Sequence, residues 1–264
     1  MTQEASEEAG EEHAVASYGV TPLAVAAVQP HGARLVAAQG SVLDFTGSAI
    51  VNAANEGCIS GGGVDGAVSN AGGDALHQAR LALPKIGRGV RCKTGDAKTT
   101  IGGELPNKWC IHAVGPNYRC LDDDDEGDLL LYMAYHASMR EARKKAMPNL
   151  AFSLLSAGIF RGRRPLRAVL GIGVLAASAA TYRGLLDVFL VAFTQAEVDT
   201  LASVLDELLV REGAEEARQA FLADLSPQLQ QAHQQALDGT LDPPPMIGVA
   251  LAAMAATAMH VSRP

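Results

Sequence analysis

Long apolar runs are missing from this chain. The longest, Met246 to Met259, covers 14 residues, short of the ~20 that a membrane-spanning helix needs, so no membrane partner is expected. Cysteine is sparse: Cys58, Cys92, Cys110 and Cys120 form no C-x-x-C pair, and Cys58 has no companion His or Cys at metal-ligand spacing. No metal site is therefore expected. With no secretory leader, the thiols read as free in a reducing, intracellular compartment. An acidic N-terminus without arginine argues against a mitochondrial presequence and leaves cytoplasm and nucleus undistinguished. The P-loop pattern G-x-x-x-x-G-K-[ST] is absent, which excludes ATP or GTP hydrolysis of that type. No acid stands about twenty residues beyond the glycine run at 61–63, so NAD redox chemistry is unsupported. Ser156 lacks a nucleophile-elbow context. No strand face combines aromatic and basic residues, and no nucleic-acid partner is expected.

The charge that is present lies unevenly. Of the net charge of −8, residues 1–12 contribute five Glu and 122–128 (DDDDEGD) six acids; the remainder holds 18 acids against 21 bases, a body of about +3. Both acidic segments read as solvated, the first as a disordered tail over 1–19 and the second as a loop. Outside them, strand-like segments stand at 20–28, 33–40, 49–52, 108–114, 150–155 and 185–193. Helical ones stand at 76–83, stopped by Pro84, and over 129–147, 165–181 and 195–210; residues 85–107 read as an irregular, loop-rich crossover. Apolar strands alternating with helices predict an α/β domain with a largely parallel, sandwiched sheet. Ligands then bind beyond the carboxyl ends of the strands. Residues 213–264 read as two helices joined at Pro243-Pro244-Pro245, packed on the body and without chemistry.

Two loops at strand ends carry the chemistry. In NAANEGCISGGGVDGAV (52–68), Gly61, Gly62 and Gly63 let backbone N–H groups converge on an anion, and the helix beginning near Val64 adds its N-terminal dipole. Asp65 is out of place in a simple phosphate loop. It reads either as a capping acid or as a group aimed at a neighbouring hydroxyl or water. The second loop, Ser156-Ala157-Gly158-Ile159-Phe160, again allows backbone approach to an anion, and Phe160 offers a ring to cover a sugar. Two such loops on one sheet edge suit a diphosphate. His112, within a strand, reads as a core histidine.

The ordered series AIVNAAN (49–55), SGGGVDGAV (60–68), CKTGDAKTT (92–100), LPNKWCIHAVGP (105–116) and AFSLLSAGIF (151–160) resembles the macrodomain family, and its VDG and CKTGDAK segments resemble the MacroD-type mono-ADP-ribosyl hydrolases. The resemblance covers about 33–210 and implies a three-layer α/β/α domain over 20–212 with a mixed, largely parallel sheet. It also implies ADP-ribose in the cleft between the two loops, ADP-ribosylated proteins as partners, no cofactor and a monomer. The implied reaction is hydrolysis of ADP-ribosyl esters on Asp or Glu side chains, with O-acetyl-ADP-ribose as a small substrate. Carried over by motif, Asn55 fixes the distal ribose and Asp65 orients or activates a water. Val42, Ala54, Gly61 to Val64 and Ser156 to Phe160 line the substrate, with Phe193 beside adenine. The competing reading is a module that binds ADP-ribose without cleaving it. Departures from the family pattern are Ser41 where an acid usually grips adenine (Asp44 follows), Ser69 where a His is common, and RGRRP after Phe160, whose Arg161, Arg163 and Arg164 read as an exposed basic loop or as groups that meet phosphates or an acidic substrate.

Overall fold

The computed structural model describes residues 15–241. Most of the acidic tail, the proline joint and the Met246–Met259 stretch lie outside the described residues. The elements run β1 (Thr21–Val28), β2 (Ala33–Gln39), β3 (Ala49–Ala53), α1 (Gly63–Leu81), β4 (Ala97–Ile101), β5 (Trp109–Ala113), α2 (Asp124–Lys144), β6 (Asn149–Ser153), α3 (Leu166–Ala179), β7 (Asp187–Ala192), α4 (Gln195–Leu205), α5 (Ala214–Ala223) and α6 (Pro227–Leu237).

The strands form one seven-stranded sheet in the order β1-β2-β7-β6-β3-β5-β4. The five inner strands are parallel to their neighbours, and β1 and β4 close the two edges antiparallel. Side chains alternate between two cores, as the pleat requires. Leu35, Val51, Ile111, Phe152 and Leu190 face a core shared with α2, α3, α4 and α6. Val36, Ile50, Cys110, Ala151 and Phe189 face a second core shared with α1. Helices on both faces of a mixed sheet make the three layers expected from sequence.

Four expectations are corrected. Tyr18 does not belong to a disordered tail: its ring stands 5.4 Å from Phe45 and 5.8 Å from Phe189, centroid to centroid, in the second core. The 85–107 crossover contains the edge strand β4, whose Ala97–Ile101 pairs with β5. The acidic run is exposed from Asp122 to Glu126, as expected, but it is not a loop. Asp123 caps α2 through a bond from the Asp125 N–H at 2.9 Å, and Asp124, Asp125 and Glu126 fill the first turn, where the helix dipole favours negative charge. Finally, the part of the C-terminal extension before the prolines is two helices, α5 and α6, broken at residues 224–226, where one was expected. Leu229, Ala232 and Ala236 of α6 join the first core, and His233 Nδ1 hydrogen-bonds the Tyr132 hydroxyl at 3.0 Å.

Candidate functional site

The carboxyl ends of β3, β5 and β6 are neighbours in the sheet, so the loops that follow them crowd one edge. Asn55 lies two residues beyond β3. Its Oδ1 accepts the Gly57 N–H at 3.0 Å and its Nδ2 donates to the Ser60 carbonyl at 2.8 Å, which holds the amide over the loop. Asp65 comes up beneath it in the first turn of α1. The close approach depends on Gly61: a Cβ there would stand 2.7 Å from Asp65 Oδ2 and 3.1 Å from Asn55 Nδ2. The structure therefore brings together the two side chains that the motif singled out.

Asp65 is not a capping residue. Its Oδ1 accepts from Arg80 Nη2 and from Asn52 Nδ2, each at 2.7 Å, and no bond runs to the helix N-terminus. The carboxylate is 2% exposed, Arg80 is fully buried, and Asp65 Oδ2 is a sealed oxygen with no partner among the described residues. Arg80 is spent on this role. Its Nε donates to the Cys58 carbonyl at 2.7 Å and its Nη1 to Ser69 Oγ at 2.8 Å. Helix α1 breaks at Gly73, whose φ of 61° only glycine adopts readily, and its second half carries Arg80 under the loop.

A buried polar chain continues behind the carboxylate. His112 stands opposite Asn52 in the β3–β5 register, with Nδ1 3.3 Å from Asn52 Nδ2 and Nε2 2.9 Å from Thr100 Oγ1. Burial, helped by the Arg80 charge, pushes the His112 pKa down to about 3, so the ring is neutral. Its Nδ1 then accepts from Asn52 and its Nε2–H donates to Thr100. It is a core histidine, as expected, and also a brace for the Asn52–Asp65 contact.

The second loop leaves β6 at Ser153. Ser156 takes a left-handed φ of 55° and donates from Oγ to the Pro116 carbonyl at 2.7 Å, which turns Ala157–Ile159 along the edge. Ala157 is buried, Ile159 exposed, and Phe160 shares a cavity with Asn55. Two of the three arginines after Phe160 hold the loop, and Arg163 is exposed. Arg161 donates to the carbonyls of Ala157 and Arg164 at 3.1 and 2.9 Å. Arg164 pairs with buried Asp128, which also accepts from the Tyr118 hydroxyl at 2.8 Å.

Cys58 and Cys92 meet under the first loop. A hydrogen bond from Cys92, with Arg80 and Arg91 nearby, holds the Cys58 thiol below its usual range, while Cys92 is pushed up. Ala54, beside Asn55 after β3, is buried, and so is Val42 at the β2 end of the edge. Ser41 caps the short turn at Val42–Asp44 and the Asp44 side chain is exposed. Phe193, 76% exposed, follows β7 beside Gly40, whose N–H bonds the Ala192 carbonyl at 3.0 Å.

A cavity of about 420 Å³ opens beside Asn55, lined also by Glu56, Arg88, Thr94, Asn117 and Phe160. A larger one, about 630 Å³, lies among β1, α3, α5 and α6 and touches none of the strand-end loops. No cluster able to hold a metal ion occurs among the described residues, and none of their helices is long and apolar enough to cross a membrane. Arg80, Asn52, Glu56 and Thr94 were not foreseen from sequence. The signal for Arg80 was a charged residue on the apolar i, i+4 row Val68–Gly72–Leu76.

A family model described as Macro domain matches residues 51–168. A Macro domain-containing protein of Cupriavidus necator is 40% identical over 144 residues, 54% of this chain and 81% of its own length. The O-acetyl-ADP-ribose deacetylase 1 of Pantoea vagans is 33% identical over 174 residues, 66% of this chain and 99% of its own. Among solved structures, the Oceanobacillus iheyensis macrodomain with ADP superposes with a TM-score of 0.61 at 26% identity, covering 67% of this chain and 92% of that one. The Trypanosoma brucei macrodomain in complex with ADP-ribose gives 0.56 at 26% identity, covering 70% and 74%.

Proposed function

The chain belongs to the Macro domain family, and on that premise we propose that it binds ADP-ribose and hydrolyses its esters. Its substrates are mono-ADP-ribose on Asp or Glu side chains of proteins and, as a small molecule, O-acetyl-ADP-ribose. The observation that carries this reading is the junction of Asn55, Gly61 and Asp65, where a carboxylate oxygen without a partner meets a backbone stripped of Cβ.

The diphosphate spans the two loops. Backbone N–H groups at Gly61–Val64 and the start of α1 take one phosphate, and those at Ser156–Phe160 take the other. The distal ribose then lies between Asn55 and Phe160. Asn55 fixes the sugar through its amide, and Asp65 Oδ2, enclosed under Gly61, is the free acceptor for a ribose hydroxyl or a water that enters beneath the loop. Because Arg80 neutralises Asp65, the carboxylate orients its partner without repelling the phosphates. Adenine is left to the β2–β7 end, with Phe193 beside it and the backbone of Val42 below. Localisation within the cell and a monomeric state belong to this proposal as expectations.

One observation favours the competing reading, a module that binds without cleaving: Asp65 is almost wholly buried in an ion pair. The two readings part in one assay. The protein is incubated with an Asp/Glu-ADP-ribosylated target and with O-acetyl-ADP-ribose. Loss of the mark and of the acetyl group is expected; binding of ADP-ribose without turnover of either substrate selects the binding module.

A further inference from the structure

We propose that Glu56 is the proton acceptor of the hydrolytic step; this rests on the hydrolase reading above. Two carboxylates flank Asn55, and the fold treats them oppositely. Asp65 is sealed under Gly61 and tied to Arg80 and Asn52. A carboxylate so enclosed can orient a group that reaches it, but it has no open oxygen from which a proton passes to and from solvent.

Glu56 has one. It is half-buried, next to Asn55 in the chain, and lines the same cavity as Asn55 and Phe160. Its Oε1 accepts from the Thr94 N–H and from Thr94 Oγ1, each at 3.0 Å, which fixes the carboxylate. Its Oε2 makes no hydrogen bond and is not among the buried unpartnered atoms, so it is accessible. A base held in one orientation, with one oxygen occupied and the other free, is the arrangement that general-base catalysis needs. The diphosphate loops Gly61–Val64 and Ser156–Ile159 do not line this cavity. It adjoins Asn55 and Phe160, which on the proposed reading flank the distal ribose, and the ester is assigned to it on that ground. Arg88 lines it too and has no ion-pair partner among the described residues, so its charge is available to a developing oxyanion.

The step runs as follows. Oε2 of Glu56 takes a proton from water as the water oxygen bonds to the acyl carbon, and the carbonyl π pair moves onto the acyl oxygen beside Arg88. When that pair returns, the bond between the acyl carbon and the ribose oxygen breaks, and the ribose oxygen takes the proton from Glu56. The products are a free carboxylic acid and the ADP-ribose hydroxyl, with one water consumed.

Glu56→Gln tests this, because the amide oxygen still accepts both Thr94 bonds while the side chain no longer takes a proton. On O-acetyl-ADP-ribose, kcat is expected to fall by about 10²–10⁴-fold with the ADP-ribose Kd, read by calorimetry, within about twofold of wild type. Formate added to Glu56→Ala is expected to restore part of the turnover. A Gln variant with kcat within about threefold of wild type overturns the proposal. So does a loss of kcat matched by an equal loss of affinity, or an Ala variant that binds ADP-ribose and gains nothing from formate. An inactive wild type that still binds ADP-ribose overturns the hydrolase reading itself, and this inference with it; an active wild type beside an active Gln variant overturns this inference alone.

Discussion

Replacing Asp65 by Ala tests the site's foundation before it tests catalysis. The substitution leaves Arg80 fully buried with Nη2 facing the space vacated by an oxygen 2.7 Å away. Breaking one side of a buried pair costs about 3–5 kcal/mol, because the remaining charge is uncompensated. Against a total stability of roughly 5–15 kcal/mol, that is a large fraction. At about 2–4 °C per kcal/mol for a domain of this size, the melting temperature should fall by roughly 6–20 °C. Asp65→Asn should fall less, since an amide oxygen still accepts from Arg80 and Asn52 and only the charge is lost. The double variant Asp65→Ala/Arg80→Met should be more stable than Asp65→Ala alone, because no buried charge remains. Thermal denaturation followed by circular dichroism reads all three. An Asp65→Ala protein melting within about 2 °C of wild type, or a double variant no better than the single, refutes the claim that this pair organises the loop. Any loss of activity in Asp65→Ala must accordingly be read at a temperature where the variant is folded, and Asp65→Asn is the cleaner probe of chemistry.

Gly61→Ala inserts a methyl 2.7 Å from Asp65 Oδ2 and 3.1 Å from Asn55 Nδ2, so the buried carboxylate must shift; calorimetry should show ADP-ribose affinity reduced by about tenfold or more, at roughly 1.4 kcal/mol per decade, together with a lower melting temperature, and unaltered affinity would contradict the packing described. Arg164→Ala removes the tie between the second loop and buried Asp128 and leaves that carboxylate with the Tyr118 hydroxyl alone; stability should fall by up to about 3 kcal/mol and ADP-ribose binding should weaken, whereas Arg163→Ala should do neither. The histidines set an acid limit. Burial holds the pKa of His233 down to about 4 and that of His112 to about 3, against an ordinary 6.5. The unfolded chain therefore binds more protons below pH 6.5, so stability is complete above that pH and declines as pH falls toward 4, by up to about 1.4 kcal/mol per pH unit per histidine. Urea midpoints from pH 7 to 5 should fall, with a shallower slope in His233→Gln; a flat profile would contradict the buried, neutral assignment.

The parallel strands were legible because their residues are apolar on both faces, and the two loops because glycine and small residues leave a mark in sequence. Edge strand β4 was not, since Ala97–Ile101 is short and polar and is held by pairing with β5 rather than by an apolar run. The start of α2 carried its own signals, a capping Asp and acids in the first turn, but the density of like charge reads equally as solvated loop. Asp128 shows why: it is buried only because Arg164, 36 residues later, and Tyr118 come to meet it. Arg80 and Glu56 belong to the same class. Their partners, Asp65 at a separation of 15 and Thr94 at 38, are fixed by the fold and not by local spacing. Asn55 and Asp65 could be named from a motif; what makes Asp65 an anchored orienting group rather than a solvated base is tertiary.

The measurement that bears most directly on the central claim is single-turnover release of ADP-ribose from an Asp/Glu-ADP-ribosylated protein by wild type and Asp65→Asn, with ADP-ribose binding measured on the same samples. The wild type should clear the mark, and Asp65→Asn should bind ADP-ribose while releasing it about 10²-fold more slowly. A wild type that binds ADP-ribose and leaves the mark intact, or an Asp65→Asn protein that removes it at the wild-type rate, contradicts the account.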